Sequence, residues 1–384
     1  MTPVPRDRPR LLWGADALAA CGDAATENAA YWRAFLAAGP TPLVANTHVR
    51  VGLIAHEGRV WPATLGDRPR AEAYPASLHS HYVGYPRAEL DLVPSPALRR
   101  AARAGFTLFD GLARLARVDR TVQWSSWLLS TNLHGPGLAP AAPEVTAELV
   151  RLHPGHAILV RNLHPFLDPH LPDRFAAAGY DLFTARQIYL FDGRRPEFLT
   201  RYNVKTDLKT LARQTTHRLC LAEDFTADDA PRIAELYRLL YLDKHSPLNP
   251  AYTVEFVRRA LSERWLDFRG LRHVSGRLDS VCGCFLADGV ATTPFFGHDT
   301  AQPPALGLYR LLVARLLQET ATAGRVLNYS SGAGAFKRHR GAIPVIEFNA
   351  LYTRHLPPVR RAAYAALRLL INGPVRRFLE KEGV

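Results

Sequence analysis

Ser330 to Gly341, "SSGAGAFKRHRG", is the stretch that decides how the chain is read. Two serines and two glycines run into Lys337, Arg338, His339 and Arg340. A Walker-type phosphate loop needs a Lys-Ser/Thr pair directly after its last glycine, and here Ala335 and Phe336 follow Gly334. The dinucleotide fingerprint needs a third glycine where Lys337 stands. Both nucleotide-binding mechanisms fail on these residues. What remains is a sharp turn out of a strand, with successive backbone N–H groups facing outward beside cationic side chains. Such a turn is either a seat for a phosphate or carboxylate, formed by Ser331, Gly332, Gly334, Lys337, Arg338 and Arg340, or an ordinary solvated basic turn.

The elements around it have a definite order. Thr226, with Asp228 and Asp229, opens a helix through "APRIAELYRLLYLDKH", and a second helix, "TVEFVRRALSERW", follows. Three strand signals come next: "LDFRGLRHV", "SVCGCFLAD" and "ATTPFFGHD". Leu306 to Gly324 is the strongest amphipathic helix. "RVLNYS" is a strand, the basic turn its exit, and "IPVIEFNALYT" the last strand. Upstream, Thr47 to Leu65 reads as two strands around Glu57-Gly58. Ser95 to Val118 is a helix, Asp119 to Leu133 a strand with its exit, and "PEVTAELVRLHP" a short helix. His156 to Leu163 is a buried strand and Tyr180 to Asp192 a strand pair. Leu199 to Leu219 is a basic connecting helix.

The second-half order resembles the GNAT acyltransferase fold. It is closer to the tandem-domain branch, which includes the Fem-type aminoacyl-tRNA-dependent peptidyltransferases and the acetyltransferase-like proteins associated with cellulose synthesis. The resemblance rests on "NVKTDLKTLARQ" before the second domain and on "LNYSSGAGAFKRHRG". It implies an α/β (α+β) chain of two GNAT-like domains, each a mixed, mostly antiparallel sheet flanked by helices, meeting across a cleft. The expected division is 1–195 for the first domain, 196–220 for the basic connecting helix, 221–355 for the second domain and 356–384 for a basic amphipathic helix. It also implies transfer of an acyl or aminoacyl group onto an amine. The donor is then a co-substrate rather than a tightly bound cofactor: aminoacyl-tRNA, acyl-carrier protein or a CoA thioester. One departure bears on that choice. Acetyl-CoA-dependent members place a glycine-rich turn before the long helix, and here "HDTAQPPALGLYR" puts Pro303 and Pro304, which lack N–H groups.

Bulk properties agree with a globular protein. The 384 residues suffice for two domains, with 47% hydrophobic and 22% charged content. A formal net charge of +13 favours polyanionic partners such as tRNA, an acidic carrier protein or an anionic membrane surface. It comes almost wholly from arginine. Cys21, Cys220, Cys282 and Cys284 do not read as a disulfide framework, and Cys282 and Cys284 share one face of a strand as small hydrophobes. Histidines lack metal-ligand spacing, so no metal is expected. No apolar run reaches the ~20 residues of a membrane span, and the default compartment is the cytoplasm. The arginine-flanked apolar stripe of "PVRRAAYAALRLLI" either docks on the body of the protein or lies on RNA or a membrane surface.

Acyl transfer to an amine needs the amine deprotonated, the carbonyl polarised and the leaving group reprotonated. The acid–base candidates at expected strand ends are His298, Asp299, Tyr309 and Glu347, the last pairing with Arg338 or Arg340. Asp243, Lys244, His245 and Asn249 in "YLDKHSPLNP" are substrate-site candidates, as are Ser130 and Asn132 in "WSSWLLSTNLHGP". If the basic turn holds the donor, replacing Lys337 and Arg340 weakens donor binding and leaves the fold intact. Two alternatives stand beside the transferase: an RNA-binding protein without catalysis, and an interfacial lipid-modifying N-acyltransferase.

Overall fold

Tyr180 to Asp192 is not a strand pair. It is one long strand, β6 (Asp181–Asp192), because the segment holds no glycine or proline to turn on and both its edges find partners. In the computed structural model, which describes residues 8–23, 28–67, 72–89 and 95–382, this strand lies near the middle of a single twelve-stranded sheet.

The first half supplies β1 (Arg10–Trp13), α1 (Gly14–Asp23), α2 (Ala29–Ala38), β2 (Arg50–His56) and β3 (Arg59–Gly66). Glu57 and Gly58 both take positive φ, closing the tight hairpin between β2 and β3. α3 (Tyr85–Glu89), α4 (Pro96–Ala116), β4 (Thr121–Trp124), α5 (Leu138–Leu152), β5 (Ala157–Leu163), α6 (Leu171–Ala177) and β6 follow. The connecting helix is shorter than expected: α7 (Tyr202–Ala212) ends before β7 (His217–Cys220). Then come α8 (Ala230–Tyr237), α9 (Val254–Ser262), β8 (Asp267–His273), β9 (Leu278–Ala287), β10 (Val290–His298), α10 (Leu308–Thr322) and β11 (Val326–Asn328). Thr253 caps α9, its hydroxyl accepting the Phe256 N–H at 3.1 Å. The basic stretch is not an open turn but a short helix, α11 (Gly334–His339), leading into β12 (Ile343–Tyr352). The C-terminal segment is α12 (Pro358–Leu370), a π-helical turn, and α13 (Arg376–Glu382). The first seven and last two residues of the expected terminal segments lie outside the described residues.

The strand order, β1-β2-β3-β4-β5-β12-β6-β11-β10-β9-β8-β7, reads the same from either edge once the halves are equated. β1 to β6 and β7 to β12 repeat one plan, with α3 and α4 inserted between β3 and β4 in the first half: strand, two helices, three antiparallel strands, a helix, a parallel strand, a short helix and a last strand. Each half ends by lending its last strand to the other, since β12 pairs with β5 and β6 with β11. The two exchanged strands pair antiparallel, with Glu347 opposite Arg186 near their midpoint.

Packing follows the alternation of the strands. Along β6, Ile188 and Leu190 enter one apolar cluster and Tyr189 and Phe191 another. The first cluster spans both halves, with Tyr31 of α2 5.3 Å from Phe285 of β9 between ring centroids. A third gathers α5 on β3 to β5, and a fourth seats α12 against α4. Cys282 and Cys284 fall together in the second cluster, as small buried hydrophobes.

Candidate functional site

Two places in this sheet are equivalent by topology. The parallel pairs β4–β5 and β10–β11 hold register for only three residues, Thr121–Gln123 with Ala157–Leu159 and Val290–Thr292 with Val326–Asn328. Beyond that the strands part, and backbone polar groups no longer facing a neighbour must be met by side chains, water or a ligand.

In the first half the opening is a pocket. Asn132, His134, Asn162, His164 and Asp168 bring polar groups to its lining, and Ala287 and Val290 of the β9–β10 hairpin come from the other half. A buried hydrogen-bond chain runs from it to the crossing point of the sheet. The Asn132 backbone and side-chain N–H groups donate to Asn162 Oδ1 at 3.0 and 2.7 Å. Asn162 Nδ2 donates to Glu347 Oε1 at 2.7 Å, and Arg186 Nε donates to the same oxygen at 2.8 Å. The remaining guanidinium nitrogens reach the Ser130 carbonyl at 2.6 Å, Thr131 Oγ1 at 3.0 Å and Ser330 Oγ at 3.0 Å. Glu347 is fully buried, so this pairing is what makes its charge tolerable there. The expected partners Arg338 and Arg340 are therefore corrected to Arg186. A carboxylate committed to Arg186 and Asn162 is a positioning group, not a free acid or base.

Two histidines of the pocket were not singled out from the sequence. Burial, with neighbouring His164 adding to it, holds His134 down to about 4, and the bond to the Arg161 carbonyl and the Glu347 charge only partly oppose. Its Nε2 donates to the Arg161 carbonyl at 2.6 Å and its Nδ1 accepts from Ser125 at 2.9 Å, so both nitrogens are occupied. Burial also lowers His164, against the pull of Glu347, and Arg186 lowers it further. Its Nδ1 has only a long contact, 3.4 Å from the Phe166 N–H. A neutral imidazole with little to hold it, on the wall of a polar pocket, is equipped to take a proton. Only its place just past the buried strand "HAILVRNL" hinted at it.

The equivalent opening in the second half is filled. Phe296 packs on Tyr309 at 4.6 Å, Tyr309 on Phe336 at 5.3 Å, and the Tyr309 and Tyr329 hydroxyls are 2.9 Å apart. Beneath them Lys337 is buried, its ammonium donating to the carbonyls of Tyr329, Ser330 and Ser331 at 2.6, 3.2 and 2.8 Å. Burial and the Arg186 charge push its pKa well below the usual lysine value. Arg340 is buried in an ion pair with Asp207 at 2.6 Å, and its guanidinium lies 3.6 Å over Phe336. Arg338 donates to the Tyr189 hydroxyl at 2.9 Å. Gly332 and Ala333 take positive φ to start the helix, and Gly334 is buried inside it. Lys337 and Arg340 thus face inward, and the expectation that Lys337, Arg338 and Arg340 together seat the donor's anionic part is corrected: α11 turns Lys337 onto carbonyls and Arg340 onto Asp207, and Arg338 alone of the three is exposed.

Of the other candidates, His298, Asp299, Tyr309, Lys244 and His245 lie near one another, the charges of Lys244, Asp299 and His245 all acting on His298. Asp299 is tied to Arg232 at 2.8 Å; partial burial raises its carboxyl, but that bond and the Ala301 and Gln302 contacts leave it below the ordinary value. His298 lies against Tyr309 at 6.1 Å, lowered by burial and by the Lys244 charge. His245 is lowered by the same two causes, and Asp243 pairs with Arg238. Asn249 is buried, its amide spent on the Tyr241 and Ser246 carbonyls at 3.0 and 3.1 Å, so it is a loop-closing residue. In the loop before α10, the Ala301, Gln302, Leu306 and Gly307 amides bond within the loop itself. For a metal, His56, Glu57 and Glu144 are the grouping among the described residues with ligand atoms within 4.8 Å, and His56 Nε2 is already 2.9 Å from Glu144.

No protein-family model and no curated protein matches the chain. Solved structures do. The C-terminal domain of a putative lysylphosphatidylglycerol synthetase from Agrobacterium fabrum aligns with TM-score 0.51 at 13% identity, over 94% of this chain and 99% of that one. FemX aligns with TM-score 0.52 at 7% identity, over 90% of this chain and 97% of its own. A tandem GNAT protein from the clavulanic acid biosynthesis pathway aligns at TM-score 0.38 and 12% identity, over 90% of this chain and 98% of that one. Identities this low speak to the fold alone. With its repeated plan of elements and whole-length likeness to FemX, the chain has the tandem GNAT-like, Fem-type fold.

Proposed function

We propose that the chain is an acyltransferase that moves an acyl or aminoacyl group from an activated donor onto an amine. The observation that carries this is the open first-half pocket, where neutral His164 stands beside the amides of Asn132 and Asn162. An amine arrives protonated. That proton is lost to solvent, the freed amine attacks the ester or thioester carbonyl, His164 takes the proton the nitrogen sheds as the carbon–nitrogen bond forms, and the carbon–oxygen or carbon–sulfur bond breaks as the leaving group takes that proton from the imidazolium. Asn132 uses one side-chain N–H on Asn162 and has a second to offer the carbonyl oxygen as it gains charge.

For the donor, the spent amides before α10 and the missing N–H groups of Pro303 and Pro304 weigh against a CoA pyrophosphate in the second half. A net charge of +13 favours aminoacyl-tRNA or an acidic acyl-carrier protein. The test is single-turnover transfer of labelled acyl group from aminoacyl-tRNA, acyl-carrier protein and acetyl-CoA to small amines. Transfer from one of the first two is expected, with acetyl-CoA bound no tighter than roughly millimolar. Micromolar acetyl-CoA binding with acetyl transfer would restore an ordinary acetyltransferase. RNA binding without transfer from any donor would leave a binding protein.

A further inference from the structure

α4 and α12 lie side by side and share a core: Ala113 and Ala116 of one, Ala363, Tyr364 and Leu367 of the other. Arg360 ties them, its Nε donating to the Ala116 carbonyl at 2.9 Å. Their inner faces are accounted for, but their outer faces are unusual for a water-exposed surface. Leu108 is 67% exposed and Leu115 51% on α4, Leu369 72% on α12, and Phe378 58% on α13. Scattered exposed leucines need no explanation, but four large apolar side chains on adjoining helices do. Around them stand arginines. Arg100, Arg114, Arg361 and Arg377 are exposed. The acidic side is thin on two of the helices: α4 carries only Asp110, bonded to His79 and Arg114, and α12 carries none, while α13 sets Glu380, bonded to Arg376, and Glu382 against Arg376, Arg377 and Lys381.

We infer that the outer face of α4, α12 and α13 docks on the surface of an anionic lipid bilayer, with the leucines and Phe378 entering the headgroup boundary and the arginines meeting the lipid phosphates. Apolar residues interleaved with arginine on helices lying flat suit an interface that is wet on one side and hydrocarbon on the other. A nucleic-acid surface would call for stacking rings and polar groups where Leu108, Leu115 and Leu369 stand. No described helix is long and apolar enough to cross a membrane, so the contact is peripheral. It rests on this surface alone and stands or falls apart from the proposed reaction.

The test is co-sedimentation of the full chain with phosphatidylcholine vesicles, with and without phosphatidylserine. The protein should pellet with the anionic vesicles only and be released by salt. Leu369→Ser with Phe378→Ser should lower partitioning at least about tenfold, and Arg361→Gln or Arg377→Gln roughly fivefold each. These side chains are exposed, so circular dichroism melts should be unchanged; Leu108→Ser on α4 serves as an independent check. A chain that stays in the supernatant with anionic vesicles overturns the inference. So does a solution dimer that Leu369→Ser dissociates, or binding to tRNA but not to vesicles through the same residues.

Discussion

The two openings of the sheet start from one topology and end differently. Where β4 and β5 part, the side chains are Asn132, Asn162 and His164, and a pocket remains. Where β10 and β11 part, Phe296, Tyr309, Tyr329 and Phe336 close the space over Lys337. A repeated strand order creates two positions able to host chemistry, and the residues decide which stays open. In this chain the second opening has become a structural plug, locked by Lys337 on three carbonyls and Arg340 on Asp207. Glu347 and Arg186, at the crossing of the exchanged strands, serve both halves.

Breaking that shared pair should give the largest effect. Glu347→Ala leaves Arg186 buried without a counter-charge, and urea denaturation should show a loss of about 3–5 kcal/mol. The double change Arg186→Met with Glu347→Leu should recover most of it. A loss under about 1 kcal/mol for Glu347→Ala would mean that the crossing point does not hold the halves together. Next comes the plug. Lys337→Met strips three carbonyls of their charged donor and should cost about 2–3 kcal/mol. Unchanged stability with donor binding lost would return Lys337 to the role of a donor ligand and erase the contrast between the openings.

A smaller effect sharpens the open side. His134, held down to about 4 in the fold, has an ordinary value near 6.5 when unfolded, so the folded state binds fewer protons between those limits. Its contribution is present in full above about pH 6.5 and is lost as pH falls toward 4, by about 2 kcal/mol after allowing for partial exposure. His134→Gln should flatten stability across that window. A wild-type profile that is already flat would mean that His134 is not held neutral in the pocket wall.

Much of the fold was legible because periodicity marks the elements: the Glu57-Gly58 hairpin, the amphipathic α10 and the order of strands around it follow from local pattern. The exchange of β6 and β12 was not legible. It depends on which strand edges meet across more than a hundred residues, and β6 was read as a strand pair although the segment holds no glycine or proline to turn on. Arg186, one charge inside an apolar run, was the available clue to a buried partner. The site divided likewise. Ser130, Asn132 and Glu347 do come together, but Asn162 and His164 were missed because each sits singly at the end of a buried strand with no motif around it. Lys337 and Arg340 were read as donor ligands because their inward partners, the Tyr329 carbonyl and Asp207, carry no mark in their neighbourhood.

The central claim is that chemistry lies in the first opening and structure in the second. Amine transfer from the donor found active should be compared for His164→Asn and Tyr309→Phe, each matched to the parent in thermal stability. We expect His164→Asn to lower kcat/KM by about 100-fold or more, and Tyr309→Phe to stay within about threefold of the parent. A nearly silent His164→Asn beside a crippled Tyr309→Phe would place the reaction in the second opening and contradict the account.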